Sequence, residues 1–242
     1  MGTYGIIRIP FAMMAETFSR HALVIALFAV VSILYGAFVA LGQRNLKRRI
    51  AYTSINHMGY TVLGIAVAGA LIQDAEYARE LALVGATVEM VAHGLITGAL
   101  FLICGSFWQR TEEYDLDSYG GLLRQAPWLT AFAVLASFAS LGLPGLAGFV
   151  AEFHIFAGTF GVYPWLAVIG VLGILVTAAL FLQMLQKVFG AMPERWAQFE
   201  DLRPVEWSVL AVLSAGFVII GVAPAFLLTL VEASATLLVG GR

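Results

Sequence analysis

The stretch Ala139-Ser-Leu-Gly-Leu-Pro144-Gly145-Leu-Ala-Gly148-Phe-Val-Ala-Glu152-Phe-His154 decides how the rest of the chain is read. It lies inside an apolar run from Pro127 to Gly161 that is otherwise long enough to cross a bilayer, which takes about 20 helical residues. Pro144 has no amide hydrogen and its ring clashes with the carbonyl four residues back, while Gly142, Gly145 and Gly148 lift the steric bias toward helix. The helix is therefore expected to break near mid-bilayer, with Glu152 about two turns beyond Pro144. Unwound backbone at that depth persists only where it is buried in protein or lines a watered cavity, and a carboxylic acid there is costly unless it has a role. The plainer alternative is a proline-kinked helix whose glutamate faces solvent or a neighbour; the coincidence of break and acid favours the functional reading.

Working outward, composition sets the class. With 61% hydrophobic residues, 12% charged residues and a mean hydropathy of +0.91, the chain is an integral membrane protein. A soluble domain carries about twice that charged fraction. The single cysteine, Cys104, sits in an apolar helix and cannot by itself hold an iron–sulfur cluster, a thiolate zinc site or a disulfide, so it reads as packing. A formal charge of -2 is uninformative about nucleic acid or anionic partners, and there is no basic run beyond Arg44 to Arg49; the expected partner surface is the lipid bilayer, with no nucleic acid.

Six full spans are expected, all α-helical: Ala22 to Leu41, Ile50 to Ile72, Leu81 to Trp108, the broken Pro127 to Gly161, Pro164 to Gln186, and Trp207 to Val231 with Pro224 inside it. Met1 to Ile9 reads as half a helix stopped by Pro10, the tail of a helix whose start is absent, followed by a loop from Pro10 to His21. The segments 43–49, 109–125 and 187–203 hold nine of the thirteen Lys and Arg residues, which places them together on the cytoplasmic side. Trp108, Trp128, Trp165, Trp196 and Trp207 fall near span ends, as an interfacial aromatic belt does.

The polar residues within these spans form a short inventory. Glu89 and His93 are four apart on one helix, so they share a face and read either as a proton relay or as a pair that satisfies itself; the cost of each in lipid favours the relay. His57 projects from a polar helix start with Tyr52, Thr53, Ser54, Asn56 and Tyr60, and reads equally as a proton stop or as a hydrogen-bonded structural histidine. Lys47, in a basic cluster, reads as a headgroup anchor. His154 points to a different face from Glu152 and reads as a packing or interface residue. No phosphate loop, dinucleotide fingerprint, metal-ligand spacing or nucleophile elbow is present.

Three segments carry a family resemblance. Asn45-Leu-Lys-Arg-Arg-Ile-Ala-Tyr-Thr-Ser54-Ile-Asn-His57-Met-Gly-Tyr60, then Met90-Val-Ala-His93-Gly94-Leu95, then Leu141-Gly-Leu-Pro144-Gly145 with Gly148-Phe-Val-Ala-Glu152-Phe, resemble in order and spacing the antiporter-like membrane subunits of respiratory complex I, the subunit M (subunit 4) type of NADH:quinone oxidoreductase. The resemblance implies two inverted five-helix repeats, each with a broken helix, of which residues 22–186 would be the second. Residues 1–21 would then be the end of a truncated helix and its loop, and 187–242 a cytoplasmic loop and the last helix. It also implies a chain without redox chemistry of its own, moving protons along buried Lys, His, Glu and water, while NADH, FMN, iron–sulfur clusters and quinone belong to partner subunits in a bacterial plasma membrane.

By that resemblance Glu152 is the acid of the broken helix, His57 and His93 lie on a central polar axis, and Lys47 is the basic residue at a helix start. Pro144 and Gly145 make the break. Glu89 stands where the family usually carries an uncharged amide. The first repeat, with its glutamate and lysines, is missing, so the chain is expected to be the C-terminal half of a longer subunit. A subunit of a multisubunit sodium/proton antiporter or membrane-bound hydrogenase, and a non-pumping structural fragment, are the alternatives.

Overall fold

The computed structural model describes residues 1–72, 74–190 and 199–240, and among these the chain is helical with no strand beyond one isolated bridge between Asn45 and Asp115. The helices are α1 (Gly2–Ile6), α2 (Ala15–Leu41), α3 (Leu46–Gly69), α4 (Glu76–Thr111), α5 (Leu122–Gln125), α6 (Pro127–Ser140), α7 (Ala147–Val162), α8 (Pro164–Phe189), α9 (Pro204–Val222) and α10 (Ala225–Gly240). Among the described residues, α2, α4, α8 and α9 are each long and apolar enough to cross a membrane alone. The chain is thus a multi-pass membrane protein. With 36 residues, α4 is the longest element, and α3, α6, α7, α9 and α10 all pack against it. α2 lies on α3 and α8 at one edge.

The expected break is present and its chemistry is local. Leu143 N–H donates to Phe138 O at 3.1 Å and Gly142 N–H to Ala139 O at 3.4 Å, with Gly142 at φ +68°, the paired bonds and left-handed glycine of a Schellman helix stop. Pro144 then forbids the helix from resuming at once, and Gly145 takes φ +92°. On the inner side Gly221 of α9 lies so close to the Gly145 carbonyl and Leu146 that even one methyl there would collide with backbone. The glycine lets α9 cover the unwound segment.

Three boundaries differ from the sequence expectation. Pro10 does not stop the first helix, because the turns from Ile7 to Phe11 widen to a π-helix, where a residue without an N–H fits. The chain kinks instead at Met14, and α2 starts at Ala15, so the loop expected over 10–21 is mostly helix; its first turns are held by an Arg20–Glu16 pair at 3.2 Å. The run from Trp207 to Val231 is two helices rather than one. Pro224 pushes Ala223 out of helical geometry to φ -127°, ψ 62°, and α10 turns to pack on α4.

The three basic segments do come together at one end. Leu46 N–H donates to Tyr114 O at 2.8 Å, Leu116 N–H to Arg44 O at 2.9 Å, Gly121 N–H to Gly190 O at 3.0 Å, and Lys187 pairs with Asp117. The bond from Lys187 holds the Asp117 carboxyl below the usual carboxylate range. Trp108, Trp128 and Trp207 lie half-exposed at this end and Trp165 near the other; Trp196 lies outside the described residues.

Asp201 caps α6 from a distance, its carboxylate accepting from Trp128 N at 2.9 Å and Leu129 N at 3.0 Å. Asp201→Ala should therefore cost about 1 kcal/mol, as loss of an N-cap does, and lower the thermal midpoint of the detergent-solubilised protein. An unchanged midpoint would show that the cap contributes nothing.

Candidate functional site

The site forms where α3, α4 and the broken pair α6/α7 meet. α3 starts on an Asn45 cap, whose side chain accepts from Arg48 N at 2.9 Å, and its phase turns Thr53, Asn56, His57 and Tyr60 inward. Arg49 braces this start from a buried position. Its guanidinium donates to Leu41 O, Gln43 O, Leu180 O and Gln183 Oε1 at 2.8–3.2 Å, tying the ends of α2 and α8 to α3. Asn56 Nδ2 donates to Ile33 O at 2.9 Å, and Thr177 of α8 donates to Asn56 Oδ1 at 3.3 Å. These bonds fix α3 against α2 and α8, and the His57 ring itself is held by Glu89 of α4 and Ser140 of α6.

His57 is the hub. Its Nδ1 lies 3.0 Å from Glu89 Oε1 and 3.9 Å from Glu152 Oε1, and its Nε2 lies 3.0 Å from Ser140 Oγ at the last turn of α6. His57, Glu89 and Glu152 are 4%, 2% and 5% exposed, so these groups interact across protein interior rather than through bulk water. Glu89 Oε2 is buried without a hydrogen-bond partner among the described residues. The Glu152 carboxylate rests against Gly142, where a side chain would strike it, so the same glycine that stops α6 makes room for the acid.

The pairing differs from what spacing along α4 suggested. Glu89 bonds His57 of α3, while the half-buried His93, one turn further on, contacts Thr97 Oγ1 at 3.2 Å and places its ring 5.4 Å from that of His57. Glu89 and His93 do share a face, but His57 is the group that each meets. Lys47 is not part of this cluster. It is exposed, with Nζ 5.7 Å over the Tyr114 ring among the loops at the basic end. His154 bonds Val150 O on its own helix at 2.6 Å, away from Glu152, as packing.

Two participants escaped the sequence reading. Ser140 is the second ligand of the His57 ring, and only its place immediately before the break marks it in the sequence. Arg49 was hidden in a run of basic residues that all read as headgroup anchors.

Chemically, the arrangement is a chain of proton donors and acceptors. A neutral imidazole donates from one nitrogen and accepts at the other, so His57 can connect Ser140 on one side with either carboxylate on the other.

Comparison with known proteins gives the family. Residues 1–177 match the family described as NADH:quinone oxidoreductase/Mrp antiporter, TM. The chain is 38% identical over 233 residues to the NAD(P)H-quinone oxidoreductase chain 4 1 of Synechococcus sp., covering 90% of this chain and 42% of that protein. It is 32% identical over 231 residues to the NADH-quinone oxidoreductase subunit M of Pseudomonas aeruginosa, covering 96% and 43%. Among solved structures, a chain of respiratory complex I from Thermus thermophilus with bound NADH superposes with a TM-score of 0.83 at 32% identity, covering 98% of this chain and 49% of that one. The chain spans less than half the length of the curated relatives it matches. Its sequence, its broken helix and its match over residues 1–177 together show that it belongs to the NADH:quinone oxidoreductase/Mrp antiporter family of membrane subunits.

Proposed function

We propose that the chain is part of a proton-translocating membrane-arm subunit of an NADH:quinone oxidoreductase, of the subunit M (chain 4) type. The observation that carries the proposal is the buried sequence Glu89–His57–Glu152, with 3.0 and 3.9 Å between His57 Nδ1 and the two carboxylates, beside a helix break. Ionisable groups within a membrane mark ion or proton pathways, and two acids facing one histidine form such a path rather than an isolated pair. Residues 22–186 form the five-helix repeat with its broken helix, and α9 and α10 follow it. His93 extends the path along α4, and Lys47 stands at the start of α3, where the basic segments face the cytoplasm. Electron transfer from NADH to quinone belongs to partner subunits, with their FMN and iron–sulfur clusters; this chain supplies groups that bind and pass protons.

The mechanism is electrostatic. A proton on Glu152 or Glu89 reaches His57 Nδ1, and the charge it brings changes the proton affinity of the other carboxylate, because two acids so near one ring do not titrate independently. Gly142 and Pro144 matter because the break lets α7 carry Glu152 to the hub while α6 ends at Ser140.

The family also contains antiporter subunits, and coupling ion separates the two readings. In inside-out vesicles of a host whose complex contains this chain, NADH-driven proton uptake should be the same in sodium and potassium buffers. Proton uptake that requires sodium and persists without NADH oxidation would instead favour the antiporter reading.

A further inference from the structure

The linear sequence carries no metal-ligand spacing, yet the fold assembles three candidate ligands. One ligand atom from each of His57, Glu89 and His93 lies within 4.8 Å of the others. Glu89 and His93 are one turn apart on α4, an arrangement that offers two ligands on one helix face, and α3 supplies the third. Glu152 Oε1, 3.9 Å from His57 Nδ1, stands next to them as a fourth ligand atom and second oxygen.

We propose that His57, Glu89 and His93, with Glu152 completing the set, form a binding site for a zinc-class divalent cation, and that the cation plugs the proton path when bound. Zinc bonds to imidazole nitrogen and carboxylate oxygen are about 2.0–2.2 Å, which places ligand atoms of a tetrahedral set about 3.4 Å apart. His57 Nδ1 and Glu89 Oε1 already stand at 3.0 Å. The remaining closure, about 1.4 Å at most by these ligand separations, falls to His93, which is half-buried and bonds Thr97 on its own helix rather than a neighbouring one. Glu89 Oε2, buried and without a partner among the described residues, provides a lone pair that the protein leaves uncommitted.

Charge selects the ion. Two carboxylates neutralise a divalent cation and two imidazoles bind it as neutral donors, so the loaded site carries no net charge into the membrane interior. Magnesium and calcium are selected by all-oxygen shells, whereas a mixed imidazole–carboxylate set suits zinc. Glu89 is decisive, because an amide there would leave the site one charge short. Bound metal occupies the lone pairs that accept protons, so metal and protons exclude each other; this plugging step rests on the proton-path reading above.

The test uses membranes bearing the assembled complex, equilibrated with zinc chloride, washed and analysed for zinc per complex. Wild type should retain one zinc more than the isosteric Glu89→Gln and one more than His93→Asn, with assembly checked on native gels. The zinc concentration that halves NADH-driven proton uptake should rise at least about tenfold in each variant that still pumps, since loss of a ligand costs no less than loss of a group that merely orients one. Equal zinc contents in wild type and variants would overturn the site. Should one variant fail to assemble, the other decides. Zinc retained by wild type with proton uptake unaffected would leave the metal site standing and overturn the plug together with the assignment of these groups to the proton path.

Discussion

Glu152→Gln, introduced into the full-length subunit, should reduce proton transfer through this chain by about 100-fold, the low end of what a positioned acid–base group contributes, while the complex still assembles. Glutamine keeps the shape that fits against Gly142 and keeps an oxygen that faces His57, so packing is preserved. What it loses is the ability to take up and release a proton. The measurement is protons taken up per NADH oxidised in inside-out vesicles, alongside native-gel quantification of the complex. Glu152→Asp separates chemistry from shape: it retains the acid one methylene further from His57 and should recover part of the transport. Wild-type stoichiometry in the glutamine variant would remove Glu152 from the path.

The largest effect on stability is expected at Arg110. Its guanidinium grips Glu206 at 2.6 and 2.9 Å and also donates to Ser106 O, Glu200 O and Asp201 O at 2.7–2.9 Å, so every N–H is used. The two side chains are 5% and 17% exposed, and they join the end of α4 to the start of α9 and to the segment that caps α6. Arg110→Ala leaves Glu206 with Ser106 and the Arg203 amide and no cation, a loss of about 1.5–3 kcal/mol, as hydrogen bonds to a partly buried charged group contribute. Arg110→Lys should not restore it, because an ammonium cannot reproduce the two-pronged grip or reach the three carbonyls together. The signature is the double variant: Arg110→Ala with Glu206→Ala should be more stable than Arg110→Ala alone, read as thermal midpoint in detergent. A double variant less stable than the single one would show that the pair is not the source of the effect.

How far these features could be read in advance depends on the range of the interactions that make them. The break at Gly142–Gly145 follows from local chemistry, and proline and glycine act on their own turn, so the sequence reveals it. The long apolar runs likewise announce helices. Pro224 shows the limit: the same kind of residue sits in an apolar run that reads as one span, but whether α10 turns away depends on the face that α4 offers it. Pro10 errs in the other direction, where a wider turn absorbs the missing N–H. The Glu89–His57 bond joins residues 32 apart on different helices, and helical spacing along α4 suggested His93 as the nearer partner. Arg49 and Lys47 are two residues apart in one basic run, yet one is buried and the other exposed; only the phase of α3 against α2 and α8 distinguishes them.

The two bonds of His57 have a consequence for timing. With Ser140 on Nε2 and a carboxylate on Nδ1, the neutral ring holds its single hydrogen on one side or the other, and a proton arriving at one nitrogen is matched by a departure from the opposite one. After each such passage the ring is left in the other tautomer and cannot repeat the same transfer until it flips or is reset from behind. It works as a one-bit latch: the structure sets the wiring, and every firing requires a reset before the next.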